Sequence, residues 1–103
     1  MLLDGIKQLL GLGPKADFAE LYKDGALILD VRTPQEFKTG HIAKSKNISV
    51  QELAKKLDKL PKDKVIITCC ASGMRSGAAK SMLKAKGFEA YNGGAWNSLQ
   101  SKI

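Results

Sequence analysis

Two apolar runs of strand length, Ala26-Leu27-Ile28-Leu29-Asp30-Val31 and Val65-Ile66-Ile67-Thr68, are each followed within a few residues by the start of a helix. Neither run alternates apolar with polar side chains, so each predicts a strand covered on both faces. Strands of that kind, separated by helical stretches in a short chain, imply a parallel sheet with right-handed crossovers and helices on both faces. The expected fold class is therefore α/β, with a small parallel β-sheet flanked by helices. Ligands of such sheets bind beyond the carboxyl ends of the strands. Asp30 to Arg32 and Cys70 come from that edge.

The helix signals agree with this alternation. Asp17 and Glu20 have capping-box spacing ahead of Leu21 and Tyr22, and Gly25 ends that first helix. Thr33-Pro34-Gln35-Glu36 combines a capping Thr, Pro at the first helical position and Glu three residues after the cap. A brief strand is expected around Asn47-Ile48. Ser49 and Glu52 then form another box spacing before Leu53, Leu57 and Leu60 on one helical face. After the second apolar run a helix is expected from Met74 to Lys86, closed by Gly87. Phe88 to Tyr91 read as a last strand, Gly93-Gly94 as a turn and Trp96 to Ile103 as a terminal helix.

With 103 residues the chain has room for one compact domain and none for a separate substrate domain. We expect a single domain over 1–103, with residues 1–14 as an N-terminal extension and 15–103 as the core. No stretch approaches the ~20 apolar residues that span a bilayer, so no membrane partner is expected. The start, Met1 to Lys7, has Asp4 where a secretory signal carries its basic region, which predicts a cytoplasmic location. The net charge of +7 comes mostly from lysines in helical stretches, such as Lys55, Lys56, Lys59, Lys80, Lys84 and Lys86. No aromatic residues are interleaved with them, so they read as a solvated surface and not as a nucleic-acid site. The field still favours small anions or an acidic partner. A monomer is expected.

Cys69 and Cys70 are adjacent and cannot close a loop between distant segments. With His41 the only histidine, they also make a poor zinc site, and no metal is expected. Thiol chemistry remains. Cys70-Ala71-Ser72-Gly73-Met74-Arg75-Ser76 lies between a buried strand and a helix N-terminus, where unpaired backbone N–H groups and the helix dipole favour negative charge. A thiolate is favoured there over the thiol. Gly73 lets the backbone curl so that several N–H groups converge on one point, and Arg75 adds a permanent cation. The expected substrate cradle is thus Ala71, Ser72, Gly73, Met74 and Arg75 around a nucleophilic Cys70. Successive strand residues point to opposite faces, so Cys69 is expected in the core, with a resolving-thiol role as the alternative.

At these residues the sequence resembles the rhodanese family, whose active loop follows a buried strand and runs Cys, two residues, Gly, one residue, Arg-Ser. Cys70, Gly73, Arg75 and Ser76 match it. Leu29 to Phe37, Gly40-His41-Ile42, and Tyr91-Asn92-Gly93-Gly94 with Trp96 also look like family segments, and the resemblance covers about residues 16 to 101. Both arginines, the only histidine, the only tryptophan and both cysteines fall in or beside these segments, while fifteen lysines lie elsewhere.

The resemblance implies a single-domain rhodanese-like fold and a sulfurtransferase needing no cofactor. Cys70 would take sulfane sulfur from thiosulfate or a similar small anionic donor, and a thiol or protein acceptor would remove it. It further implies that Asp30 helps hold the loop through Arg75, that Arg32 lies near the donor entrance, and that Ser76 supports the loop. By residue type alone, Asp30 and Arg32 could equally form a strand-end ion pair. His41 is read as turn support, because transfer by an ionised thiolate needs no general base. Around Ala43 to Asn47 the sequence departs from the family's usual Pro-Gly turn. Two alternatives compete: a noncatalytic binding module of the same fold, and a Cys-dependent phosphatase. The phosphatases of related folds place five residues between Cys and Arg, whereas four separate Cys70 from Arg75.

Overall fold

The computed structural model describes residues 16–103. The expected N-terminal extension therefore lies outside the described residues. Strands β1 (Leu27–Asp30), β2 (Lys46–Asn47), β3 (Ile66–Cys70) and β4 (Ala90–Ala95) form one sheet in the order β2-β1-β3-β4, every pairing parallel. Between and around them run α1 (Phe18–Lys23), α2 (Pro34–Lys38), α3 (Val50–Lys56) continuing into a 3-10 turn at Leu57–Lys59, α4 (Met74–Ala85) and α5 (Trp96–Gln100).

The two central strands divide the core. On one face Leu29, Ile66 and Cys70 pack with Leu53 from α3 and with Ala79 and Leu83 from α4. On the other, Ile28, Ile67 and Cys69 pack with Leu99 from α5, backed by Phe18, Leu21 and Tyr22. Each buried Leu or Ile contributes about 1.5–3 kcal/mol relative to exposure, and a one-residue slip would exchange the two sets. The hydrophobic packing therefore fixes which cysteine faces which layer. No described helix is long and apolar enough to cross a membrane.

Local signals act as their chemistry dictates at the first two helix starts. Asp17 accepts from the Glu20 N–H at 3.1 Å. Thr33 and Glu36 form a reciprocal box, Thr33 Oγ1 accepting from the Glu36 N–H at 3.3 Å and Glu36 Oε1 from the Thr33 N–H at 3.0 Å. The Ser49 box is not formed. Ser49 caps α3 by position only, without a side-chain hydrogen bond, and its carbonyl accepts from the Glu52 N–H at 2.9 Å.

The expected turn at Gly93-Gly94 is also corrected, because β4 runs through both glycines to Ala95. The register between β3 and β4 shifts there, Thr68 pairing with Asn92 but Cys70 with Ala95. Gly93 permits this close passage: a Cβ at that position would lie 2.8 Å from both the Thr68 carbonyl oxygen and Leu99 Cδ2. The terminal helix stops at Gln100 instead of reaching Ile103. In the atypical turn before β2, Lys44 takes φ 66°, and Ser45 closes the turn by donating N–H and Oγ–H to the Ile42 carbonyl at 3.1 and 2.6 Å.

Candidate active site

β3 carries Cys70 to the carboxyl edge of the sheet, and the following residues curl back over its sulfur before α4 begins. Gly73 makes the curl possible with φ +96°, a left-handed conformation that a Cβ would oppose. Its N–H donates to Cys70 Sγ at 2.9 Å and the Ser76 N–H at 3.4 Å, while Ser76 Oγ lies 3.3 Å from the same sulfur. Burial by itself pushes the Cys70 thiol up. The Ser76 side chain and the backbone N–H groups of Ser76, Gly73 and Ser72 outweigh it, holding the thiol below its ordinary value.

Cys69 has the opposite environment. It is buried among Ile28, Ile42, Ile67 and Leu99, and that burial, followed by the nearby Asp30 carboxylate, pushes its thiol up to about 12. Adjacent cysteines are thus separated chemically by the pleat of β3, and only Cys70 faces donors that favour a thiolate.

β4 supplies the other wall. Asn92 Oδ1 accepts from Ser76 Oγ at 2.6 Å and from the Gly94 N–H at 2.9 Å, while Asn92 Nδ2 donates to the Gly73 carbonyl at 3.2 Å. Thr68 Oγ1 donates to the Ser76 carbonyl at 2.8 Å, tying the first turn of α4 to β3.

The two arginines are placed differently from what the resemblance implies, and Asp30 and Arg32 form the strand-end ion pair that residue type alone allowed. Asp30 does not reach Arg75. It is fully buried and binds Arg32, whose Nε lies 2.9 Å from Oδ1 and whose Nη2 lies 2.7 Å from Oδ2. Arg32 is itself buried, its remaining donors reaching the carbonyls of Glu36 at 3.2 Å and Gly40 at 2.7 Å, with Trp96 stacked at 4.8 Å. A guanidinium so enclosed is part of the scaffold and is not open at an entrance. Hydrogen bonding to Asp30 raises its pKa further, so it remains charged.

Arg75 instead forks onto Glu36, Nη1 to Oε1 at 2.7 Å and Nη2 to Oε2 at 3.0 Å. Arg75, followed by the Thr33 N–H, brings the Glu36 carboxyl down to about 2. The cation beside the loop is therefore matched by a carboxylate.

Ala71, Ser72 and Met74 are exposed at the rim, Met74 at 81%, whereas Cys70 and Ser76 are buried beneath them. His41 turns away from the loop. Its ring stacks on Phe37 at 3.7 Å and its Nδ1 donates to the Phe37 carbonyl at 2.7 Å, locking the end of α2. Glu36 and Asn92 are site residues that sequence reasoning did not single out. Glu36 is fully accounted for by its capping box, and Asn92 next to two glycines reads as a turn former.

A rhodanese-like domain model matches residues 15–99. The chain belongs to the rhodanese-like domain family. YqhL of Bacillus subtilis, an uncharacterized protein, is 37% identical over 68 residues, 65% of this chain and 54% of YqhL. The match thus spans about half of that relative. Thiosulfate sulfurtransferase GlpE of Pseudoalteromonas translucida is 34% identical over 87 residues, covering 80% of this chain and 83% of GlpE. Among solved structures, reduced CoADR-RHD of Bacillus anthracis superposes with a TM-score of 0.72 at 36% identity, over 82% of this chain and 15% of that one. The parallel sheet with its flanking helices is a rhodanese fold, in a family that contains sulfurtransferases.

Proposed function

We propose that this rhodanese-like protein is a cytoplasmic sulfurtransferase that carries sulfane sulfur as a persulfide on Cys70. The observation that carries the reading is the convergence of the Gly73 and Ser76 N–H groups on Cys70 Sγ. Those donors stabilise a thiolate before transfer and an anionic terminal sulfur after it. The neighbouring GlpE relative, named for thiosulfate sulfurtransfer, supports thiosulfate as the donor class.

In the proposed reaction the Cys70 thiolate attacks the outer sulfur of thiosulfate. The new bond joins Sγ to that sulfur, the sulfur–sulfur bond of the donor breaks, and sulfite leaves with its electron pair. A thiolate or cyanide then takes the terminal sulfur and Cys70 departs as thiolate. No proton transfer is needed. Because Cys70 is fully covered, the exposed Ala71-Ser72 stretch lifts to admit the donor.

Intact-protein mass spectrometry after thiosulfate treatment tests this directly. The expected result is a single gain of about 32 Da that reductant removes, lost in Cys70→Ser and kept in Cys69→Ala. Absence of the adduct, or hydrolysis of an aryl phosphate without it, would overturn the assignment.

A further inference from the structure

The polar groups around Ser76 leave its hydroxyl with a choice. Gly94 N–H can only donate and the Gly73 carbonyl can only accept, so the Asn92 amide has one possible orientation, Oδ1 toward Gly94 and Nδ2 toward Gly73. Ser76 Oγ therefore faces an acceptor at 2.6 Å and must donate its single proton to it. Its lone pairs are then left for Cys70, 3.3 Å away, which fits a thiol donating S–H to Ser76. A thiolate does not fit the same arrangement, because sulfur would face lone pairs. With Ser76 fully buried, water does not make up the missing donor.

We propose that Asn92 is a positioning residue that competes with Cys70 for the one proton of Ser76. The hydroxyl turns to sulfur when Cys70 is ionised and back to Asn92 when Cys70 carries a sulfane sulfur. A hydrogen bond to a charged acceptor is roughly twice as strong as one to a neutral amide, so ionisation wins the proton. Asn92 Oδ1 then keeps the Gly94 N–H alone. Once sulfur is transferred, Sγ becomes a neutral bridging atom and the negative charge moves to the outer sulfur, beyond the buried hydroxyl. Ser76 returns to Asn92. The rotation follows the charge through both half-reactions, and the same Asn92 side chain holds Gly73, whose N–H faces the sulfur.

The other charges near Cys70 are balanced. Arg75 at the start of α4 is matched by Glu36 of α2, and Asp30 of β1 by Arg32. The Cys69 thiol, pushed up to about 12, stays neutral. On β4 the Tyr91 hydroxyl donates to Glu89, and on α3 Glu52 and Lys55 are exposed and 4.0 Å apart. Ser76 is the neutral group whose orientation remains to be set.

This inference rests on the reading of Cys70 as the sulfur carrier, but its test needs no sulfur donor. In a Cys69→Ala background, the pH profile of iodoacetamide alkylation at Cys70 is measured; its plateau reports access and its midpoint reports ionisation. Removing the competitor with Asn92→Ala should move the midpoint down by about half to one pH unit, so that the thiolate fraction below it rises roughly three- to tenfold. In a Ser76→Ala background the same substitution should produce no downward shift. An upward shift, expected if Asn92 only braces the loop, or an equal shift in both backgrounds would overturn the proposal. Should Asn92→Ala fail to fold, Asn92→Asp keeps both acceptor contacts and should raise the midpoint, a rise at least halved by Ser76→Ala; an undiminished rise would refute the competition. A normal persulfide adduct with no coupling rejects the inference alone, whereas coupling without any adduct rejects the sulfurtransferase reading and leaves the hydrogen-bond switch in place.

Discussion

Arg75 and Glu36 join the loop over Cys70 to the first turn of α2 through two parallel hydrogen bonds of 2.7 and 3.0 Å. One carboxylate thereby serves two local tasks, since Glu36 also accepts from the Thr33 N–H that it caps. The ion pair leaves little net positive charge at the mouth of the site for an anionic donor.

Substituting Glu36→Gln retains the capping geometry while releasing the charge of Arg75. The KM for thiosulfate should fall by about two- to fivefold at low ionic strength, with a smaller effect near 1 M salt. An unchanged KM at low salt would show that Arg75 does not act on the donor.

The same pair has a pH signature. The Glu36 carboxyl is lowered from an ordinary 4.5 to about 2 on folding, so its stabilisation is fully present above about 4.5 and is lost as pH falls through 2. The urea midpoints of wild type and Glu36→Gln should therefore differ above pH 5 and converge near pH 2. The pair is partly exposed, which keeps the difference small. A gap that widened on acidification would contradict it.

Arg32→Lys is expected to be destabilising by about 3 kcal/mol in urea denaturation, because one ammonium cannot span Asp30, Glu36 and Gly40 as the buried guanidinium does. A loss below about 1 kcal/mol would mean that Asp30 finds other partners.

Lys44→Gly should have the opposite sign. Lys44 holds φ 66°, where an L side chain is strained by about 1–2 kcal/mol. Glycine removes the strain but adds unfolded-state freedom, leaving a gain of about 1 kcal/mol. No gain in the thermal midpoint would indicate that the lysine stem contributes packing that offsets the strain.

Gly93→Ala tests the passage of β4. A Cβ would meet the Thr68 carbonyl and Leu99 at 2.8 Å and Ile67 Cγ2 at 2.9 Å. Backbone oxygen cannot yield as a flexible side chain does, so a loss of about 1–3 kcal/mol is expected by calorimetry, with the Cys70 loop displaced as well. Wild-type stability would require β4 to shift as a unit.

Much of this protein follows from short-range sequence. Ile66 and Ile67 form a buried strand because their branched side chains fill both faces of the sheet; Thr33 and Glu36 start a helix because their side chains reach backbone groups three residues away. The exposure of Cys70 to the N–H groups of Gly73 and Ser76 is equally local, a consequence of a strand meeting a helix across a glycine. Those features needed no knowledge of what packs where. The partners of the charged and polar side chains did. Arg75 meets Glu36 across 39 positions of sequence and Asn92 meets Ser76 across 16, and the two pairings depend on the strand order, which sets β1 on one side of β3 and β4 on the other. Asp30 could have served Arg75 by residue type alone; the fold instead buries it against Arg32, because the chain bends directly after β1 and Asp30 Oδ1 accepts the Arg32 N–H at 3.0 Å, turning the guanidinium back onto the same carboxylate. Local propensity sets which elements form and where the thiol stands, whereas the choice among several oppositely charged neighbours is made only when packing brings one of them within hydrogen-bond range.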